Sequence, residues 1–275
     1  MKFLLIIILV LPFHLVKGAV TPGDNDVMLS FGRAGRSALS DKQIKILVWN
    51  LHKGENQDFE KDLSELAQDK DLIISQEILL NFEMKRIFVE VPEYLFQTAT
   101  SFFMGKDLNR TGVATGSQAS LLSSNFIRTK NLEPFTHSPK MTLVTQYAIE
   151  NQNEFLTVIN VHAINFVTAK IFGEEMDHIA QVIEALNILN HPVLLAGDFN
   201  TWSQERLVIL NKLKNKLYLK EATFIPDYRL TFRGLALDHV FYSSQLSLIS
   251  AKADRIYQGS DHRPLELIFD LKHSR

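Results

Sequence analysis

The sequence predicts an α+β fold: two mixed β-sheets packed face to face, with helices on the outside. Three observations lead there. Short apolar runs of roughly four to eight residues, the mark of buried strands, outnumber stretches with helical spacing. The helical stretches fall between some of these runs rather than in a separate block. No long linker divides the 275 residues, of which 46% are hydrophobic and 22% charged, so one domain with a sizeable core is expected. No internal repeat is visible, which argues against a solenoid.

Taken in order, the chain opens with a targeting segment. Lys2 precedes an apolar run from Phe3 to Leu11, and Val16 and Gly18 are small enough for a cleavage site. Residues 1–18 therefore read as a secretory signal peptide, and the protein as secreted or periplasmic. Pro12 and His14 interrupt the run, which is too short to span a bilayer comfortably. Residues 19–43, rich in Gly, Ser, Asp and Asn, read as a flexible leader arm. The domain proper is expected over 44–275.

Within it, IKILVW (44–49) is a buried strand. Phe59, Leu63 and Leu66 share a helix face, predicting a helix over about 57–69. DLIISQE (71–77) is a second buried strand, followed by a helix over 79–90. The middle is β-rich, with strands expected at 93–100, 112–124, 141–149 and 154–162. TGVATGSQ (111–118) reads as a mobile or tightly turned stretch because of its small residues. Met176, Ile179, Ile183 and Leu186 predict a helix over 173–190, stopped by His191-Pro192. PVLLAGD (192–198) is a strand. Ser203 is suited to cap a helix over 204–216. Strands close the chain at 237–243, 247–253 and 264–269.

Composition excludes some chemistry. There is no cysteine, so thiol nucleophiles, thiolate metal sites and disulfides are all ruled out. The 29 basic side chains do not outweigh the 31 acidic ones, so no global basic field draws in a polyanion. Lys212, Lys214, Lys216 and Lys220 cluster, but a solvated helix face explains them equally well.

The informative feature is where polar groups fall. Successive apolar strands end in Asn50, Glu77, His162 and Asp198, with Asn200 two residues on; Asp238 opens LDHVFYS, and Asp261 and His262 precede the last strand. Each alone has an ordinary reading as a cap, a turn residue or a hydrogen-bonded core histidine. Together they form a carboxylate, amide and imidazole set without sulfur. Such hard oxygen donors suit Mg²⁺, Mn²⁺ or Ca²⁺. Phosphoester cleavage needs such a cation, a base for water and donors for the phosphoryl oxygens.

WNLHKG (49–54), SQE (75–77), NVHAIN (160–165), AGDFNTW (196–202), LDHVFY (237–242) and GSDHRPLEL (259–267) resemble, in order, the signature motifs of the endonuclease/exonuclease/phosphatase (DNase I-like) superfamily. The resemblance implies a four-layer αββα sandwich and metal-dependent attack of water on phosphorus. It assigns Glu77, Asn50 and Asp261 to the metal. It assigns Asp198 to the attacking water, Asn200 and His262 to the phosphate, Asp238 to orienting His262, and His162 to the second histidine of DNase I-like members. An acidic partner for His162 is expected within 101–118, where only Asp107 is available. The expected substrate is nucleic acid, cut by an exported endonuclease with Mg²⁺ or Mn²⁺, Ca²⁺ being a further candidate. A phospholipid or sphingomyelin phosphodiesterase or a phosphoinositide phosphatase is the alternative, with Phe102-Phe103-Met104 as a membrane-entering loop. A non-catalytic binding protein on the same scaffold ranks last. No protein partner is expected. Trp202, directly after GDFN, is a candidate wall of the substrate cleft, whereas His52, His137 and His239 read as structural or surface residues.

Overall fold

The computed structural model describes residues 19–272 apart from residue 187; the expected signal peptide lies outside the described residues. In chain order its strands and helices are β1 (Met28–Gly32), β2 (Gln43–Asn50), α1 (Phe59–Ala67), β3 (Leu72–Leu80), α2 (Phe82–Glu90), β4 (Leu95–Met104), β5 (Asn109–Ser117), β6 (Leu121–Arg128), β7 (Met141–Ala148), β8 (Phe155–His162), α3 (Ala169–Ala185), β9 (Val193–Asp198), α4 (Gln204–Lys216), β10 (Lys220–Glu221), β11 (Thr231–Phe232), β12 (Leu235–Ala236), β13 (Asp238–Tyr242), β14 (Leu246–Ala253) and β15 (Leu265–Leu271).

Two mixed sheets result, in the orders β1-β4-β5-β3-β2-β15-β14 and β10-β13-β9-β8-β7-β6, with β11-β12 as a separate hairpin. Strand alternation sorts the apolar side chains into layers. In β2, Ile46 and Val48 face the other sheet and join Leu72, Ile74, Val158, Leu194 and Leu267 in the central core. Leu47 and Trp49 point the opposite way, onto Phe59, Leu63 and Leu66 of α1 and Met84 and Phe88 of α2. On the second sheet, Ile159, Val161 and Leu195 meet Phe172, Met176 and Ile179 of α3 and Leu210 and Leu213 of α4. The order of layers is helix, sheet, sheet, helix, the α+β sandwich expected from the sequence.

Helix starts follow local chemistry. Ser203 caps α4 by accepting from Arg206 N at 3.3 Å, as expected. α3 begins earlier than the apolar spacing suggests, at Ala169, because Thr168 accepts from Ile171 N and caps it there.

Three expectations about the chain fail. Residues 19–43 are not a free arm throughout: β1 pairs antiparallel with β4 from Met28↔Ala99 to Gly32↔Leu95. Val27 and Leu39 of the same segment are wholly buried. The stretch 111–118 is no loop; β5 runs through it between β3 and β4. Its small residues are needed there, since a Cβ on Gly112 would lie 2.0 Å from Ala99 O. Phe102-Phe103-Met104 is not a projecting loop but the end of β4, paired with Thr111, Arg110 and Asn109.

A polar clasp spans the central core. Asn160 of β8 is fully buried and donates to Ser75 O (3.0 Å) and Ala114 O (2.8 Å) across the sheets, while accepting from Gln76 Nε2 at 2.7 Å. It lies two residues before His162, and Gln76 one before Glu77. The clasp therefore sets how far apart those two side chains stand.

Candidate active site

The candidate side chains come from the carboxyl ends of β2, β8 and β9, from a bulge within β3, from the start of β13 and from the turn before β15. Asp198 is the centre. Its Oδ1 accepts from Asn200 N (2.9 Å) in an Asx-turn, and its Oδ2 accepts from Asn50 Nδ2 (3.1 Å). β9 reaches this turn beside β8 only because residue 197 is glycine: φ is +141°, and a Cβ would sit 2.0 Å from Val161 O.

Glu77 is delivered by a bulge. Ser75 pairs with Ala114 but Ile78 with Gly112, so Gln76 and Glu77 together oppose one residue. Glu77 takes φ +50°, and the pattern shifts phase: Gln76 faces the other sheet while Ile78 packs under the helices. The bulge aims the Glu77 carboxylate at the site. Its Oε1 lies 3.5 Å from Asn50 Nδ2 and 3.7 Å from His162 Nε2, and its Oε2 accepts from Lys53 Nζ at 2.8 Å. Burial works against its charge, but the Lys140 and Lys53 ammonium groups around it hold the carboxyl well below the usual range.

On the other side, His262 Nδ1 meets Asp238 Oδ2 at 2.8 Å, which leaves Nε2 4.0 Å from Asp198 Oδ2. Burial disfavours the imidazolium, but the Asp238 and Asp198 carboxylates raise its pKa to about 10. The turn that carries His262 is pinned to β2: Ser260 donates to Asn50 O (2.7 Å) and Trp49 Nε1 donates to His262 O (3.1 Å). Asp198 is pushed up to about 7 by burial, with His262 opposing and Asp238 reinforcing.

Seven of the eight residues singled out from sequence thus lie together: Asn50, Glu77, His162, Asp198, Asn200, Asp238 and His262. Glu77, His162 and Asp198 form one group with donor atoms within 4.8 Å of one another, and Asp198, Asp238 and His262 form a second. Asp261 joins neither. Its half-exposed carboxylate lies 3.8 Å from His52 Nδ1, because its neighbour His262 takes the inward position of the turn. His239 is structural, as expected, held between Thr201 Oγ1 (2.7 Å) and Glu221 Oε1 (2.9 Å).

The partner of His162 is not the acid that the sequence suggested. Asp107 is exposed near the β4–β5 turn. Instead Lys140 Nζ stands 3.2 Å from His162 Nε2 and 3.4 Å from the buried Glu133 carboxylate. Burial and the Lys140 charge push the His162 pKa well below its ordinary value. Glu133 and Lys140 were missed because nothing in their local sequence separates them from surface residues, and Lys53 was passed over although it lies within WNLHKG. Arg206 was also missed. It is wholly buried, donates to Ile164 O, Asn200 O and Val167 O at 3.0–3.1 Å, and stacks between Phe172 and Trp202. It braces the GDFNTW turn from behind.

Glu77, His162 and Asp198 converge with the Asn50 amide beside both carboxylates, and Glu77 is held ionised, a cluster able to hold a divalent cation. Fold and site together define a phosphoesterase scaffold with a carboxylate–imidazole centre at the strand ends. The chain belongs to the Endonuclease/Exonuclease/phosphatase family, whose sequence profile matches residues 47–262. It is 36% identical over 233 residues to a "UPF0294 protein" of Vibrio campbellii, covering 84% of this chain and 79% of that one. Among solved structures it is similar to the endonuclease/exonuclease/phosphatase of Bacteroides vulgatus (TM-score 0.65, 17% identity, 83% of this chain and 99% of that one). It is also similar to the human Nocturnin catalytic domain with bound sulfate anion (TM-score 0.63, 20% identity, 87% and 100%). Members of the family are hydrolases of phosphoesters.

Proposed function

We propose that this protein is an exported, divalent-metal-dependent phosphodiester hydrolase acting on nucleic acid. The observation that carries the reading is the convergence of Glu77, His162, Asp198, Asp238 and His262 on one spot, from five segments of the chain. Glu77 and Asp198, with Asn50 beside them, would hold Mg²⁺ or Mn²⁺. Such an ion, when bound, supplies Lewis-acid stabilisation of charge on the phosphoryl oxygens.

The chain's own groups do the rest. Asp198, held by Asn50 and the Asn200 backbone, is oriented to accept a proton from the attacking water. His262, protonated through Asp238, donates to a phosphoryl oxygen. Asn200 spends one amide hydrogen on Ala163 O and has a second for the phosphate, without adding negative charge. His162, deprotonated, accepts at Nε2 from Lys140 Nζ (3.2 Å), which ties that lysine into the site. Export rests on the leader at 1–18.

The test is cleavage of plasmid DNA and of single-stranded oligonucleotides with Mg²⁺ and with Mn²⁺. Cutting by the wild type that is lost in Asp198→Ala is expected. Absence of cutting with either ion, or equal cutting by Asn200→Ala, would refute the reading. Export is tested by the N-terminus of the mature chain, expected at residue 19.

A further inference from the structure

A cavity of about 770 Å³ opens beside Asn200. That volume lies within the roughly 300–1,000 Å³ of small-molecule sites. Asn200 and Leu237 line it, and these are respectively a phosphate-site residue and the residue preceding Asp238, so the cavity is continuous with the active site. Its faces are aromatic or aliphatic: Phe166, Trp202, Phe232 and Leu235. Its rim offers the amide of Asn165 and the guanidinium of Arg233.

The aromatics are held in place although they are partly open to solvent. Trp202 is fixed by Arg206 stacked on the indole at 4.5 Å and by its Nε1 donating to Asn165 Oδ1 at 2.9 Å. The same Asn165 oxygen accepts from Phe166 N at 2.8 Å. Phe166 is 59% exposed and takes φ +56°. It meets the exposed Phe135 edge-on at 5.3 Å. Phe232 sits on the β11–β12 hairpin, whose two-residue turn, Arg233-Gly234, has φ positive at both positions, the tight form that matches strand twist. Exposed aromatics gathered on one concavity cost solubility and are otherwise unexplained.

We propose that this cavity is a subsite for an unpaired nucleobase adjacent to the hydrolysed phosphate, so that the substrate is a single-stranded nucleic acid or a nucleotide phosphoester. The proposal rests on the phosphodiesterase reading above and narrows it. Flat aromatic walls suit the π-face of any base, and amide and guanidinium groups suit a base edge. An acyl chain would gain nothing from Asn165, Asn200 and Arg233. A base paired in a duplex keeps its edge and faces occupied and cannot enter.

The experiment is equilibrium binding followed by tryptophan fluorescence, comparing adenosine 5′-monophosphate with ribose 5-phosphate in the presence of Mg²⁺. Trp49 is buried and Trp202 lines the cavity, so a base there quenches one of two indoles. The nucleotide is expected to quench, and to bind about ten- to a hundredfold tighter than the sugar phosphate, the range base–aromatic stacking carries. Phe166→Ser and Phe232→Ser, both at exposed positions, are expected to remove most of that preference. Equal binding of the two compounds, or binding of neither, overturns the subsite. So does loss of phosphatidylcholine-vesicle binding in the two Phe variants without nucleotide preference, which assigns the aromatics to a lipid surface. Nucleotide preference without phosphodiester cleavage would leave the subsite standing and refute the hydrolase reading; cleavage without base preference would do the reverse.

Discussion

His162 and His262 stand on two sides of Asp198, with Nε2 at 3.9 Å and 4.0 Å from the same carboxylate oxygen. They are almost equally buried, at 5% and 6% exposure. Yet one is driven neutral and the other is held protonated. Burial cannot account for the difference, since it disfavours the charge on both. The partner does: a lysine ammonium at 3.2 Å for His162, an aspartate at 2.8 Å for His262. One imidazole is thereby left neutral and the other charged within a single cleft, because their environments push their pKa values apart.

The most damaging way to break this arrangement is to remove the carboxylate both histidines share. Asp198→Ala is expected to lower phosphodiester cleavage by about a thousandfold or more, with unchanged circular dichroism. Next is Asp238→Asn. It should drop the His262 pKa from about 10 toward the ordinary 6.5, read from the ring proton shift in NMR, and reduce cleavage by about a hundredfold above neutral pH. The sign for stability follows. A folded-state pKa above the unfolded one gives stabilisation present below pH 6.5 and lost as pH rises through 10. The wild type should lose stability over that window, and Asp238→Asn should lose this dependence.

Asn160→Ala removes the clasp between the sheets and takes from the buried Gln76 amide its acceptor at 2.7 Å. A loss of about 1–3 kcal/mol in denaturant unfolding is expected. Lys140→Gln sharpens the comparison from the other side: the His162 pKa should rise toward its ordinary value, with an activity change of about tenfold or less. The smallest effect concerns Asp198 itself. Its pKa of about 7 means that a divalent cation binding near pH 6 should expel a proton. Titration calorimetry in buffers of different ionisation enthalpy detects it; no proton release would argue against Asp198 as a ligand.

Much of the site was legible because its residues sit at the ends of apolar runs. Parallel pairing sets Asn50 level with Gln76, next to Glu77, in one sheet, and His162 level with Asp198 in the other, and the two packed sheets bring these pairs together. Asp261 stands outside both clusters because in a turn consecutive residues face opposite ways, and spacing does not say which one points inward. Lys140 and Glu133 were invisible because their loop carries no periodicity. Met28–Gly32 was missed because a short edge strand amid Gly and Ser has little apolar pattern of its own.

By itself, the sequence determined the layers and the roster of strand-end chemistry, since hydrophobic alternation and capping act over a few residues. Tertiary structure alone decided the bulge that aims Glu77, the aromatic cavity beside Asn200 and the opposite protonation of the two histidines. Those depend on distances between groups far apart along the chain, and electrostatic forces follow separation in space.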